Sequence, residues 1–553
     1  MVTLNLCTTN PFVHRMTTRR NLMLYQNATI IDGTNRPGFL GHVLVKDDRI
    51  DRVFRAGETL PDDVGEILDC TGKWITPGFI DAHSHNDFYA AKPDHMPYFE
   101  PFVRQGVTTM VVGNCGFSAA GYPEATPYND QIGGGLFSND GQNFGSFSGW
   151  VRRIDRHMPV NMIALVGHGT ARIGVAGKAS APLSPEALKA MTQAVEQALF
   201  EGAAGISFGL MYEPGQFAPA SEIETLARIA KKHDKIATFH ARAYSKVSTS
   251  YNPPVGGRAH NLRAMDEVVS IARATGVKTQ YSHLIFVGKR SWGTVAESLR
   301  LLEETKASGI DIGFDLYPME FGASIITVVL PVWYLAMEPA LRKRALTRIR
   351  LWLEVFIATK ALGFGFGDIL VTNTYGVMKE IEGLRVTEIA KRWKKSAFQT
   401  YLELVDKSGG RINVLMYKYQ NPAIIERLRR HPLALYMTDA WIEPESGVQN
   451  FAAFYAFPKF LSLSLLHGTP IEEAVHKMTG ATAARFGLSD RGTIASGNFA
   501  DLVVIDPSRL AFTEGRDASP AGIDRVVNNG KVVVKDGVVD QVAIATVGRF
   551  LAV

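Results

Sequence analysis

The chain has 553 residues, 46% of them hydrophobic and 20% charged, which is enough for one large domain and a smaller companion. A net charge of +5 over that length is mild, and no nucleic-acid-binding module accompanies it, so no nucleic-acid partner is expected. Three cysteines (Cys7, Cys70, Cys115) argue against a disulfide framework, and the lack of any apolar run of about 18 residues argues against a membrane span; a cytoplasmic protein with no membrane partner is the expectation.

Residues 1–20 are polar and read as a disordered extension, with Met16 or Met23 as alternative starts. From Asn21 to about Trp74 the pattern is β-like. Met23–Tyr25, Ala28–Ile31, His42–Val45 and Ile50–Phe54 alternate with turns such as Asp32-Gly33 and Asp47-Asp48. The C-terminal stretch repeats the pattern: Leu502–Ile505 ends at Asp506-Pro507, and Val526-Val527 and Val532–Val534 flank an Asn-Gly hairpin turn. Residues 21–75 and 490–553 are therefore assigned to one small β-sandwich built from both termini.

Residues 76–489 alternate strands with helices. Apolar strand-like runs occur at 74–80, 108–112, 162–166, 205–210, 235–239, 277–281, 311–316 and 432–437, with amphipathic helices between them, such as Ser184–Glu201 and Ala220–His233. Near-continuous apolar strands indicate a parallel sheet covered on its faces, and eight of them indicate an α/β (β/α)8 TIM barrel. Residues 319–420 are too many for one crossover and read as an inserted subdomain over the barrel mouth. It holds helices over 331–356 and 386–407 and apolar runs at 369–371 and 412–416. The basic runs Arg342–Arg350, Lys391–Lys395 and Arg427–Arg430 are interleaved with apolar residues and read as solvated helix faces.

In such a barrel the reacting groups lie at the C-terminal strand ends. These ends carry His83 and His85, Cys115, His240, His283 and Asp439. At i, i+2 spacing on a strand, His83 and His85 point to one face and can share a cation. Nitrogen, sulfur and oxygen donors together suit zinc, as one ion or two. Such an ion lowers the pKa of bound water to roughly 7. His168, which ends the third strand, receives no role.

The segments 77–85, Gly113-Asn114-Cys115-Gly116, 166–170, 205–218, Ser282-His283-Leu284, and the tail at 478–504 resemble the D-aminoacylase (N-acyl-D-amino-acid deacylase) branch of the amidohydrolase superfamily. The likeness runs over about residues 22–540 and fades at 319–420. It implies that His83 and His85 hold the weaker metal, that Cys115 bridges the metals or serves the tight site, that His240 and His283 complete the tight site, and that Asp439 contacts the weaker site as general acid/base. It also places Tyr212 near the substrate. One departure stands out: the basic residue that pairs with a substrate carboxylate in that branch falls on Ala452 when the chain is aligned on Phe457-Pro458. A buried carboxylate without a cation is costly, so a more apolar amide is expected, met by Trp441, Phe451, Phe454 and Tyr455, with Arg242 as an alternative source of charge. The implied activity is hydrolysis of a small-molecule amide. Cyclic amides, ureas and carbamates are alternatives, a non-catalytic relative is the remaining one, and homo-oligomerisation is left open.

Overall fold

The computed structural model describes residues 22–134, 136–248, 250–251, 257–335, 337–443, 447–511 and 520–553. The extension assigned to residues 1–20 lies outside them.

Eight parallel strands form the centre, in unbroken chain order: β1 (Phe79–Asp81), β2 (Val107–Val112), β3 (Asn161–Gly167), β4 (Gly205–Gly209), β5 (Ile236–His240), β6 (Lys278–Tyr281), β7 (Ile312–Leu316) and β8 (Ala434–Tyr436). Every residue of β2, β3, β4 and β5 is buried, which explains why these strands read as apolar runs without alternation. β8 and β1 close the ring at their ends. Ala82 N–H donates to Tyr436 O, and Asp439 N–H donates to His83 O at 3.0 Å. The buried Asp81 carboxylate accepts from Thr438 N–H at 3.0 Å and from the Thr438 hydroxyl at 2.6 Å. Eight ordered strands and this seam make the expected barrel.

The terminal strands are hydrogen-bonded as one nine-stranded mixed sheet. Trp74–Pro77 pairs antiparallel with Leu502–Ile505 and parallel with Leu22–Ile30, which joins the two ends of the chain. Tyr25, Val43, Ile75, Leu502 and Val527 fill its own core, while Val503, Ile505, Val526 and Val534 pack into the barrel's core. The apolar run at 74–80 is thus two strands. Gly78 divides them, and a Cβ there would meet the Thr108 hydroxyl at 2.2 Å.

The insert contains a three-stranded antiparallel sheet, Gly322–Ile325, Asn413–Met416 and Ile369–Asn373, with Asn413–Met416 in the middle. The helix expected over 331–356 is broken into Val332–Leu335, Pro339–Arg342 and Ala345–Leu362. Glu338, held extended before Pro339, and the extended Arg344 interrupt it. The helix expected over 386–407 is likewise two, Val386–Trp393 and Ala397–Ser408. Lys394 turns left-handed, and the Ser396 side chain caps the second by accepting from Gln399 N–H. The insert is fastened to loops at the C-terminal strand ends: Phe286 N–H donates to Tyr419 O, and Gly447 N–H donates to the Glu382 carboxylate.

Candidate metal centre

His83 and His85 lie just beyond β1, on a bend rather than on the strand itself. The bend turns both rings inward, with centroids 5.3 Å apart, so the i, i+2 spacing still converges. Cys115 follows β2 in a tight turn where Gly113, Cys115 and Gly116 all have positive φ, the cysteine at 53°. Asn114 braces that turn by donating to Val111 O at 3.0 Å, and Gly116 N–H donates to the Ser207 hydroxyl at 3.0 Å. The neighbouring strand ends must be glycine here: a Cβ on Gly209 would stand 2.0 Å from Cys115 O, and one on Gly167 would stand 2.5 Å from Gly116 O. His240 ends β5. His283 and Asp439 follow β6 and β8 with φ of 32° and 49°. Three of the six candidate ligands therefore sit in a backbone region that non-glycine residues seldom occupy, a form of strain that concentrates at functional sites.

The six side chains form two groups that share the thiol. In one, Cys115 Sγ lies 3.3 Å from His83 Nε2, and the Nε2 atoms of His83 and His85 each lie 3.5 Å from Asp439 Oδ1. In the other, the same Sγ lies 3.3 Å from His240 Nδ1 and 3.4 Å from His283 Nε2. Two donors on a common tetrahedral ion, each at about 2.0–2.3 Å from it, stand roughly 3.3–3.7 Å apart. The donor set fits a metal, and the thiol is placed to serve two positions. Asp439 keeps 19% of its side chain exposed, whereas His83, His85, Cys115, His240 and His283 are buried, so the carboxylate is the group that an incoming molecule can reach.

Burial pushes the His240 and His85 imidazoles below their ordinary value and brings His283 down to about 4, which keeps them in the neutral form that binds metal. His83 shifts upward: its burial is outweighed by the sulfur of Cys115 and the carboxylates of Asp315 and Asp439. Burial raises the Asp439 carboxyl too, but His283 and the hydrogen bond from His85 overcome it and hold the group below the usual carboxylate range. Burial lifts the Cys115 thiol to about 11, so the protein alone keeps it protonated, whereas a coordinated cation would ionise it.

One residue of the centre escaped sequence reasoning. Asp315, buried inside β7, accepts from His283 N–H at 2.6 Å and from the Gln280 amide at 3.2 Å. Its Oδ1 also faces His83 Nδ1 at 3.6 Å. One carboxylate thus touches one histidine from each metal group. A lone acid in the buried strand Ile312–Leu316 was the available signal.

Around the centre, Tyr212 lies with its ring 4.5 Å from that of His240. Trp441 stands edge-on to His85 at 5.8 Å and to Phe137 at 5.2 Å. Glu443 holds Trp441 there, accepting from its indole N–H at 3.2 Å, and also accepts from Asn373 at 2.9 Å, Tyr375 at 3.2 Å and Asn413 of the insert. Phe451 packs farther out, against Phe321 at 5.9 Å. Arg242 departs from the expectation that it supplies substrate charge. Its guanidinium pairs with Glu267 at 2.8 Å and donates to Gln216 O at 2.7 Å, so it anchors the loop after Tyr212. Ala452 is buried, and its carbonyl accepts from Gln105. His168 is paired with Glu222 at 2.8 Å, beside Arg172, and stands apart from both metal groups.

The chain is similar to known proteins along most of its length. The profile of the Amidohydrolase family matches residues 66–315 and 464–534. The D-aminoacylase of Alcaligenes xylosoxydans xylosoxydans is 30% identical over 525 residues, covering 92% of this chain and 94% of that one. A solved D-aminoacylase structure concerned with a binuclear metal centre superposes with a TM-score of 0.76 at 29% identity, covering 96% and 99% of the two chains. The N-acyl-D-glutamate deacylase of Bordetella bronchiseptica, solved with zinc and a phosphonate mimic of the tetrahedral intermediate, superposes with a TM-score of 0.76 at 25% identity and the same coverage.

Proposed function

The chain belongs to the amidohydrolase family and is a metal-dependent hydrolase of carbon–nitrogen bonds other than peptide bonds. From that premise we propose that zinc is its ion, held by His83, His85, Cys115 and Asp439 at one position and by Cys115, His240 and His283 at the other, and that its substrate is a small N-acyl compound with an apolar rather than a carboxylate-bearing partner to the amide. The observation that carries the metal reading is the single thiol within 3.4 Å of three imidazole nitrogens from three different strand ends.

Zinc held by these residues would supply Lewis acidity toward a carbonyl and lower the pKa of water. Asp439, ionised and partly open to solvent, accepts the proton of the attacking water and returns it to the nitrogen that leaves. The Tyr212 ring flanks the reacting carbonyl, and the aromatic pair Trp441 and Phe137 shields it from bulk water. The apolar preference follows from Ala452, which offers no charge, and from Arg242, whose guanidinium is committed to Glu267.

The test is a panel on zinc-loaded protein: N-acyl-D-amino acids against neutral hydrophobic amides, cyclic amides and ureas. Neutral amides are expected to have the higher kcat/KM. A clear preference for acidic N-acyl-D-amino acids would reject the substrate assignment. Asp439→Asn is expected to lower kcat by about 100-fold or more while the zinc position of Cys115, His240 and His283 stays filled. Full activity in that variant would remove Asp439 from the chemistry.

A further inference from the structure

The helix Ala345–Leu362 of the insert is apolar on its outer side as well as its inner one. Its inner side is held by Leu351 and Val355, which are buried. Its outer side carries Leu346, Ile349, Leu353, Phe356 and Ile357, spaced so that they form one stripe. Leu346 is 82% exposed and Ile349 61%. Trp352 lies at the edge of the stripe, its ring stacked on Phe356 at 5.4 Å. Beside it, a groove of about 590 Å³ opens toward Phe398 and Leu402.

Charge accompanies this apolar face. Residues 339–362 contain Arg342, Lys343, Arg344, Arg348, Arg350 and Lys360 against Glu354 alone. Arg350 pairs with Glu354, Arg348 with Asp406, and Arg342 donates to backbone carbonyls, which leaves Lys343, Arg344 and Lys360 as the cations whose side chains have no such partner among the described residues. Lys343 and Arg344 stand exposed just before the stripe; Lys360 stands at its far end. An apolar ridge with an aromatic edge, bounded at both ends by cations, is the form of an element that lies in the headgroup layer of a bilayer. There the apolar side chains sink below the headgroups and the long basic ones reach anionic phosphates.

We propose that this helix is a docking surface for an anionic lipid membrane, held peripherally and without insertion of a span. Charge complementarity decides between a membrane and a second copy of the chain. A self-complementary contact would bring Lys343, Arg344 and Lys360 of two copies together, whereas an anionic bilayer neutralises them. The placement is compatible with the finding that no helix among the described residues is long and apolar enough to cross a membrane, and it departs from the expectation that the protein has no membrane partner. It is independent of which amide the centre cleaves.

The experiment is flotation of the full-length, metal-loaded protein with phosphatidylcholine vesicles, with and without phosphatidylserine. Recruitment is expected only with phosphatidylserine and is expected to weaken as salt rises. Lys343→Ser and Arg344→Ser should each lower vesicle affinity roughly fivefold. Ile349→Glu with Leu353→Glu should abolish it, while hydrolysis in solution and the melting temperature stay as in the parent. Should the double glutamate variant fail to fold, the two serine variants carry the test. Absence of recruitment to phosphatidylserine vesicles overturns the proposal. So does light scattering that shows a dimer dissociated by Ile349→Glu, which would give the face to a second copy.

Discussion

Asp315 illustrates how much of the centre depends on a residue that touches no metal. It fixes the backbone of His283, where φ is positive, and faces the outer nitrogen of His83. Asp315→Asn keeps the shape and removes the charge, and carboxylates in this position typically contribute about 10–100-fold to metal affinity. We expect zinc affinity, read by competition with a chelator, to fall within that range while the fold is retained. Unchanged affinity would show that backbone geometry alone orients the two histidines. At this scale the six side chains that converge were legible as candidates because their residue types are rare at strand ends and suit one kind of chemistry. Asp315 was not, because a carboxylate inside an apolar run leaves no periodic trace and its partners lie in distant segments. Arg242 was misread for a related reason: Glu267, which occupies it, sits 25 residues away on a helix whose facing side cannot be inferred from spacing.

At the scale of elements, the close approach of β2, β3 and β4 depends on glycines with no room for a side chain. Gly209→Ala would drive a methyl group into Cys115 O. Such overpacking costs about 1–3 kcal/mol where relaxation is possible, and here the atom that must move belongs to the turn that carries the thiol. A lowered denaturation midpoint together with reduced bound zinc is expected; normal metal content would show that the turn adapts. The strands themselves were legible, since each falls on one of the runs read from the sequence, although β6, Lys-Thr-Gln-Tyr, is largely polar. The division at Gly78 was not, because strands of two different sheets follow each other with only the pair Pro77-Gly78 between their apolar residues. The helix Ala345–Leu362 marks another limit. A stripe at helical spacing reveals that one face is apolar, but not whether that face meets the core or the solvent.

For the whole molecule, the candidate donor atoms lie at or just beyond the ends of β1, β2, β5, β6 and β8, so a metal held as proposed would link segments from residue 83 to residue 439. An ion that binds the folded chain and not the unfolded one stabilises it by about 2.7 kcal/mol at a hundredfold excess over its dissociation constant. Stripping the metal is therefore expected to lower the apparent melting temperature, restored by zinc. Cys115→Ala should diminish that response, and a melting temperature indifferent to chelator would contradict the shared-ligand arrangement. The two-lobed organisation was visible from composition, whereas the insert's internal sheet was not, since Gly322–Ile325 and Asn413–Met416 pair across about ninety residues of chain. The Gly78 junction has a mechanical consequence. Because Trp74–Pro77 and Phe79–Asp81 are contiguous yet sit in different sheets, no flexible linker separates the terminal lobe from the barrel. Swinging one lobe away from the other would pull on Gly78 from two sheets at once, whereas at the other rim the cap is held to Trp441 through the single carboxylate of Glu443 and its bonds to Asn373, Tyr375 and Asn413.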